Sequence, residues 1–136
     1  MQLSPTLSFN GNCKEAFTLY EKVLRGRTQV MMTWGESPMA DQVQPDWREK
    51  IMHTSLIVGD TSLLGSDAPP GSYQQPKGFS VAIHVDDPAE AERVFKELSE
   101  NGTIQMPLQQ TFWATRFGML VDRFGTPWLV NCGNAS

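Results

Sequence analysis

The chain reads as an α+β fold: two tandem βαβββ modules forming a half-open barrel, with one helix per module on the convex side. Three observations lead there. Two amphipathic segments match each other position by position. Each follows a strand, a turn and an Asn or Asp, and each precedes a strand, a longer segment and a hairpin. The third observation is residues 110–128, which hold two of the four Trp, three of the seven Phe, two Arg and one Asp. Rings interleaved with a few charges suit a pocket wall, and they also suit a sheet packed on one face only.

The match between helices is direct. Lys14-Glu15-Ala16-Phe17-Thr18-Leu19-Tyr20-Glu21-Lys22-Val23 lies over Ala89-Glu90-Ala91-Glu92-Arg93-Val94-Phe95-Lys96-Glu97-Leu98. Glu and Ala coincide; an aliphatic, an aromatic, two charges and an aliphatic then follow in the same places. A repeat of this length is the signature of one supersecondary unit used twice. Two curved sheets, each with a helix on one side, need their other faces covered, and the concavity between them is the default binding site.

In chain order, residues 3–9 alternate with a period of two and read as a strand, with Pro5 near its start. Asn10-Gly11 turns the chain and Asn12 is placed to cap a helix over 13–24, which Gly26 ends. Residues 28–34 are a strand and 35–47 a loop rich in breakers. Strands over 50–58 and 61–65 flank a Gly59-Asp60 hairpin. After a connection come a strand over 79–85 and a helix capped by Asp87 with Pro88 first, stopped at Asn101-Gly102. Strands over 103–108, 115–121 and 127–132 complete the second module, with a turn at 122–125 and a tail from 133 to 136. One domain over 1–136 results: module one about 1–68, a connection about 69–78 and module two about 79–136.

At 136 residues the chain can bury a core without disulfide or metal support. Its net charge of −4 argues against nucleic acid. No apolar run approaches a membrane span, and the start has no basic region followed by a long apolar run. Cys13 and Cys132 read as reduced thiols, so the expected location is the cytoplasm. Cys13, at a helix start, is a nucleophile only if a base stands near it; otherwise it is a small residue in a first turn. No phosphate loop, nucleophile elbow or dinucleotide fingerprint is present.

The arrangement resembles the vicinal oxygen chelate superfamily of glyoxalase I, bleomycin and fosfomycin resistance proteins and extradiol dioxygenases. More closely, it resembles the PhnB-like branch. Carrying that likeness are Leu7-Ser8-Phe9-Asn10-Gly11-Asn12-Cys13, Ala16 with Tyr20, His53, Gly65-Ser66-Asp67, Thr111-Phe112-Trp113, and Phe117-Gly118 through Asp122-Arg123-Phe124-Gly125-Thr126-Pro127-Trp128. Members of the branch are sometimes labelled demethylubiquinone methyltransferases, but no strand, Gly-rich turn and helix for S-adenosylmethionine is visible here.

The resemblance implies a divalent metal held by His, Glu or Gln on the first, fourth, fifth and eighth strands. Those places fall near Pro5 or Thr6, near Leu64 or Gly65, at Ser80 and near Leu129. A hydroxyl competes poorly with imidazole or carboxylate for such an ion. The expected cofactor is therefore none. The expected occupant is a small organic molecule in the concave sheet, with Trp34, Phe112, Trp113 and Trp128 as walls. His53, Ser80 and Arg116 are the expected polar contacts. Arg116 reads either as an anion clamp or as a solvated strand charge. A metal-dependent lyase or dioxygenase with atypical ligands among His53, His84, Asp67 and Asp122 is one alternative. A non-catalytic sequestering protein is another. The resemblance also implies a homodimer.

Overall fold

The computed structural model describes residues 1–133, so most of the tail lies outside the described residues. The chain divides into two compact units, Met1–Gln75 and Pro76–Ser136. The first holds β1 (Thr6–Phe9), α1 (Cys13–Leu24), β2 (Arg27–Thr33), β3 (Ile51–Val58) and β4 (Thr61–Asp67). The second repeats the order with β5 (Val81–Val85), α2 (Pro88–Ser99), β6 (Thr103–Gln109), β7 (Arg116–Val121) and β8 (Pro127–Cys132). The sheet orders correspond, β1-β4-β3-β2 and β5-β8-β7-β6. In each, the first strand pairs in parallel with the last, and the other pairings are antiparallel. The α+β class and the βαβββ repeat are thus present in both units.

Several boundaries differ from the sequence reading, each for a local reason. β1 starts at Thr6, not at 3; Leu3 is 93% exposed, with no core to bury its side chain. β4 runs on to Asp67 because Phe9 pairs with it. β5 starts at Val81, leaving Phe79 half exposed ahead of it. The loop over 35–47 contains two single 3-10 turns, Ala40–Gln42 and Pro45–Trp47.

Helix α1 buries Ala16, Phe17, Tyr20 and Val23, and its rings meet Phe9 edge-on or tilted at 5.9 and 6.4 Å. Its left-handed terminal residue is Arg25 rather than Gly26. Gly26 is needed for space instead: a Cβ there would lie 2.7 Å from the Ile57 carbonyl oxygen. Helix α2 buries Ala91, Val94, Phe95 and Leu98. As the sequence predicts, Asp87 caps it, accepting from Ala89 N at 3.1 Å, with Pro88 in the first turn.

The start of α1 departs most from expectation. Asn12 makes no side-chain capping bond. The cap comes from Asp67, at the end of β4. Its Oδ1 accepts from Gly11 N at 2.9 Å and Cys13 N at 3.0 Å, and its Oδ2 accepts from Ile51 N at 2.8 Å. Asp67 is 1% exposed, so three backbone donors replace its water. One carboxylate therefore joins the β1–α1 turn, the first turn of α1, the start of β3 and the end of β4.

A glycine in each unit marks the helix-bearing face of its sheet. A Cβ on Gly65 would sit 2.3 Å from Phe17 Cε1, and one on Gly118 would sit 2.7 Å from Phe95 Cε2. Register then assigns the rest. Leu7 and Thr54 pair with Gly65, and Val130 pairs with Gly118 and Ile83; these lie under the helices. Their neighbours along each strand point to the opposite, open face.

Alanine at Gly65 or Gly118 is expected to destabilise by about 1–3 kcal/mol through overpacking, measured as a lowered urea midpoint. Asp67→Asn turns an amide N–H against a backbone donor; the expected loss is about 3 kcal/mol, measured the same way.

Candidate functional site

On the open face of the first sheet, Ser8 pairs with Ser66, Thr6 with Leu64, and Leu64 with Ser55. His53 pairs with Met32 on the same face and is exposed. This surface is small and hydroxyl-rich. Trp34, from the segment after β2, is half-buried, and its indole N–H donates to the Asp67 carbonyl at 3.2 Å. That bond fixes the ring in place.

On the open face of the second sheet, His84, Asn131 and Phe117 form one row across β5, β8 and β7. Ala82, Leu129 and Met119 form the next. The Trp113 ring stands edge-on to Phe117 at 5.1 Å, and Phe112 edge-on to Trp113 at 4.6 Å. The tight turn carrying these rings is closed by Thr111: its N–H donates to the Ala114 carbonyl at 3.0 Å, and its Oγ1 accepts from Ala114 N at 3.1 Å. Phe112 is 90% and Trp113 43% exposed. An aromatic ledge thus begins on the open face beside an exposed imidazole and an amide.

Two expected wall or contact residues lie elsewhere. Trp128 pairs with Leu120 and Val81 on the helix-bearing face, is 1% exposed, and donates its indole N–H to Asp122 Oδ2 at 2.8 Å. Arg116 shares that face through its pairing with Cys132. Its Nε reaches Glu92 of α2 at 3.4 Å, and its Nη1 donates to the Thr115 carbonyl at 2.9 Å. Ser80 is half-buried directly before β5. The structure therefore brings Phe112 and Trp113 together, and keeps His53 on the open face of the other unit. It adds Phe117, His84 and Asn131. The sequence signal for these was Gly118: a glycine pressed under a helix places its strand neighbours on the other side.

The places that the resemblance implies for a metal hold Thr6, or Pro5 before it, and Leu64 or Gly65 in the first unit, and Leu129 and Ser80 in the second. These residues do not fit a divalent ion, since one or two neutral hydroxyls among aliphatic groups are a weak donor set. Among the described residues, no three His, Cys, Asp or Glu side chains converge. The alternative set is divided by faces: Asp67 lies on the helix-bearing side and His53 on the open side of one sheet. Asp122 is occupied as a turn carboxylate, its Oδ1 accepting from Phe124 N at 2.9 Å and Thr126 N at 3.0 Å.

Neither cysteine is an activated nucleophile. Both are fully buried. Burial pushes the Cys13 thiol far up, and the Asp67 charge adds to it. Burial also raises Cys132, partly opposed by Arg116 and reinforced by Asp87 and Asp86. Its thiol donates to the Asp86 carbonyl at 3.5 Å.

A family described as 3-demethylubiquinone-9 3-methyltransferase matches residues 1–131. The chain belongs to that family. It is 34% identical to Protein YjdN of Escherichia coli (strain K12), over 96% of this chain and 95% of that one. Protein PA1353 from Pseudomonas aeruginosa shares 48% identity at a TM-score of 0.91, with 99% of both chains covered. The PhnB protein from Bacillus cereus, described by the same methyltransferase term, shares the fold at a TM-score of 0.82 and 18% identity, over 98% of this chain and 100% of that one. Solved glyoxalase, fosfomycin-resistance and bleomycin-resistance/dioxygenase proteins share it at between 10% and 13% identity. The chain thereby shares the fold of the glyoxalase and bleomycin-resistance proteins.

Because both folded thiols hold their protons above the ordinary value, the folded state stays protonated where the unfolded chain ionises. This contribution to stability is whole below about pH 8.5 and is lost as pH rises beyond it. Melting temperatures are expected to fall between pH 8 and 10, less so in Cys13→Ala. Ellman's reagent is expected to react with neither thiol until the protein is unfolded.

Proposed function

We propose that this PhnB-like protein binds a small organic molecule against its open sheet surface, without the divalent metal of its superfamily. The observation that carries this reading is the ledge of Phe112, Trp113 and Phe117 beside His84 and Asn131. Exposed rings supply apolar area and faces for stacking, while an imidazole and an amide orient the ligand's polar groups. His53 and the Ser8–Ser66 pair are the corresponding polar contacts of the first sheet. The quinone in the family's description is a flat molecule of the kind such a ledge accepts.

Methyl transfer forms no part of this reading. The turn between β1 and α1 has one glycine, and its Gly11 and Cys13 N–H groups are already bound to Asp67, so they are not offered to a nucleotide. The metal-free reading rests on the donor chemistry of Thr6, Leu64, Ser80 and Leu129.

We also place the protein in the cytoplasm as a homodimer. Two buried free cysteines suit a reducing compartment, and no helix among the described residues is long and apolar enough to cross a membrane. Exposed Phe79 and Ile104 on the second unit are apolar area suited to a second copy. Light scattering checks this; a monomer at micromolar concentration refutes it.

Ligand binding is tested by thermal-shift screening of small aromatic compounds, short-chain quinols included. A hit is expected to weaken about tenfold in Trp113→Ala or Phe117→Ala, the loss of roughly 1.4 kcal/mol of stacking, and to be unchanged in Arg116→Ala. Elemental analysis tests the metal. A stoichiometric ion whose chelation lowers the melting temperature would overturn the metal-free reading.

A further inference from the structure

A cavity lies in the first unit, at the end of β4 where α1 begins. Its volume is about 530 Å³, and its lining includes Lys14, Thr33, Arg48, Lys50, Glu49 and Asp67. In a chain with 11 Lys and Arg against 15 Asp and Glu, three cations on one cavity run against the overall charge.

Those cations lack carboxylate partners among the described residues. Among the described residues, none of Lys14, Arg48 and Lys50 forms an ion pair. The Arg48 Nε donates to the Ala40 carbonyl at 3.3 Å, which leaves the two terminal nitrogens of the guanidinium without an acceptor. The Lys50 ammonium lies 5.9 Å above the Trp47 ring. One acid of the lining is already committed, since the Asp67 oxygens are bound by three backbone N–H groups. Glu49 remains, so the lining as a whole carries three positive and two negative groups.

The backbone beneath these side chains is pinned. Trp34 N donates to the Lys50 carbonyl at 2.9 Å, and Gly35 N to the Arg48 carbonyl at 2.8 Å. Ile51 N is held by Asp67. The bases of Arg48 and Lys50 are therefore fixed before any ligand arrives, which lowers the entropy lost on binding.

We propose that this cavity of the first unit is a phosphate-binding site that takes free phosphate or the phosphate of a small phosphomonoester. The three cations attract a dianion, and the Arg48 fork can hold two of its oxygens. The cavity is much larger than a phosphate group, which favours a phosphomonoester with an organic remainder.

The test is calorimetric titration of the purified full chain with inorganic phosphate and with methyl phosphate, at constant ionic strength. One-to-one binding with a dissociation constant on the order of 1 mM or tighter is expected for at least one of them, and the tighter identifies the source. Arg48→Gln and Lys50→Gln are each expected to weaken it about tenfold, the share of one charge-assisted contact. Glu49→Gln is expected to tighten it, a gain that a merely destabilising change would not produce. Lys96→Gln on α2 is expected to leave it unchanged. Amide chemical shifts in the unmodified protein are expected to move at Gly11, Lys14, Thr33 and Ile51. Absence of saturable binding by either anion overturns the proposal, as do shifts confined to the row of His84, Asn131 and Phe117. Neither result bears on aromatic ligands at the open face.

Discussion

The carboxylate of Asp67 holds the first unit together. It is fully buried, and it is stable there because three backbone N–H groups solvate it in place of water. Those donors come from three places in the chain, so one side chain sets where α1 begins, where β3 begins and how β4 ends. The carbonyl of the same residue accepts from the Trp34 indole. The thiol of Cys13 is kept neutral by burial, with the Asp67 charge adding to it. Because the Asp67 oxygens are bound by backbone N–H groups, they form no ion pair with Lys14, Arg48 or Lys50, which line the cavity beside it.

The second unit solves the same topology with different chemistry. Its helix is capped by the residue directly before it, Asp87, and the strand-end position is released from that duty. Its buried carboxylate, Asp122, serves a hairpin instead. It gathers the Phe124 and Thr126 N–H groups and the Trp128 indole, and so ties the turn to the helix-bearing side. What both units keep is a glycine under the helix, Gly65 and Gly118, where any side chain would strike an aromatic ring of the helix. The repeat is thus conserved in shape and in its tightest contacts, while its polar groups have diverged.

This divergence explains the placement of the candidate site. With Trp128 and Arg116 drawn to the helix side by Asp122 and Glu92, the aromatic content left for the open face is Phe117 and the rings stacked on it. The open face of the second sheet therefore presents rings, the His84 imidazole and the Asn131 amide.

By itself the sequence determined the two βαβββ units, the helix stripes, the Asp87 cap and the hairpin turns. These follow from local periodicity and from backbone preferences of single residues, which a linear text displays. Tertiary structure alone decided three things. The cap of α1 comes from Asp67, 54 residues from Cys13, and no local pattern announces a bond across that separation. The end of α1 falls to Arg25, because Gly26 is required for close approach to Ile57 rather than for its dihedral freedom. The faces of Trp128 and Arg116 were decided by packing: a period of two separates a strand's two sides, but when aromatics occupy both, only the helix lying on one of them says which side is buried.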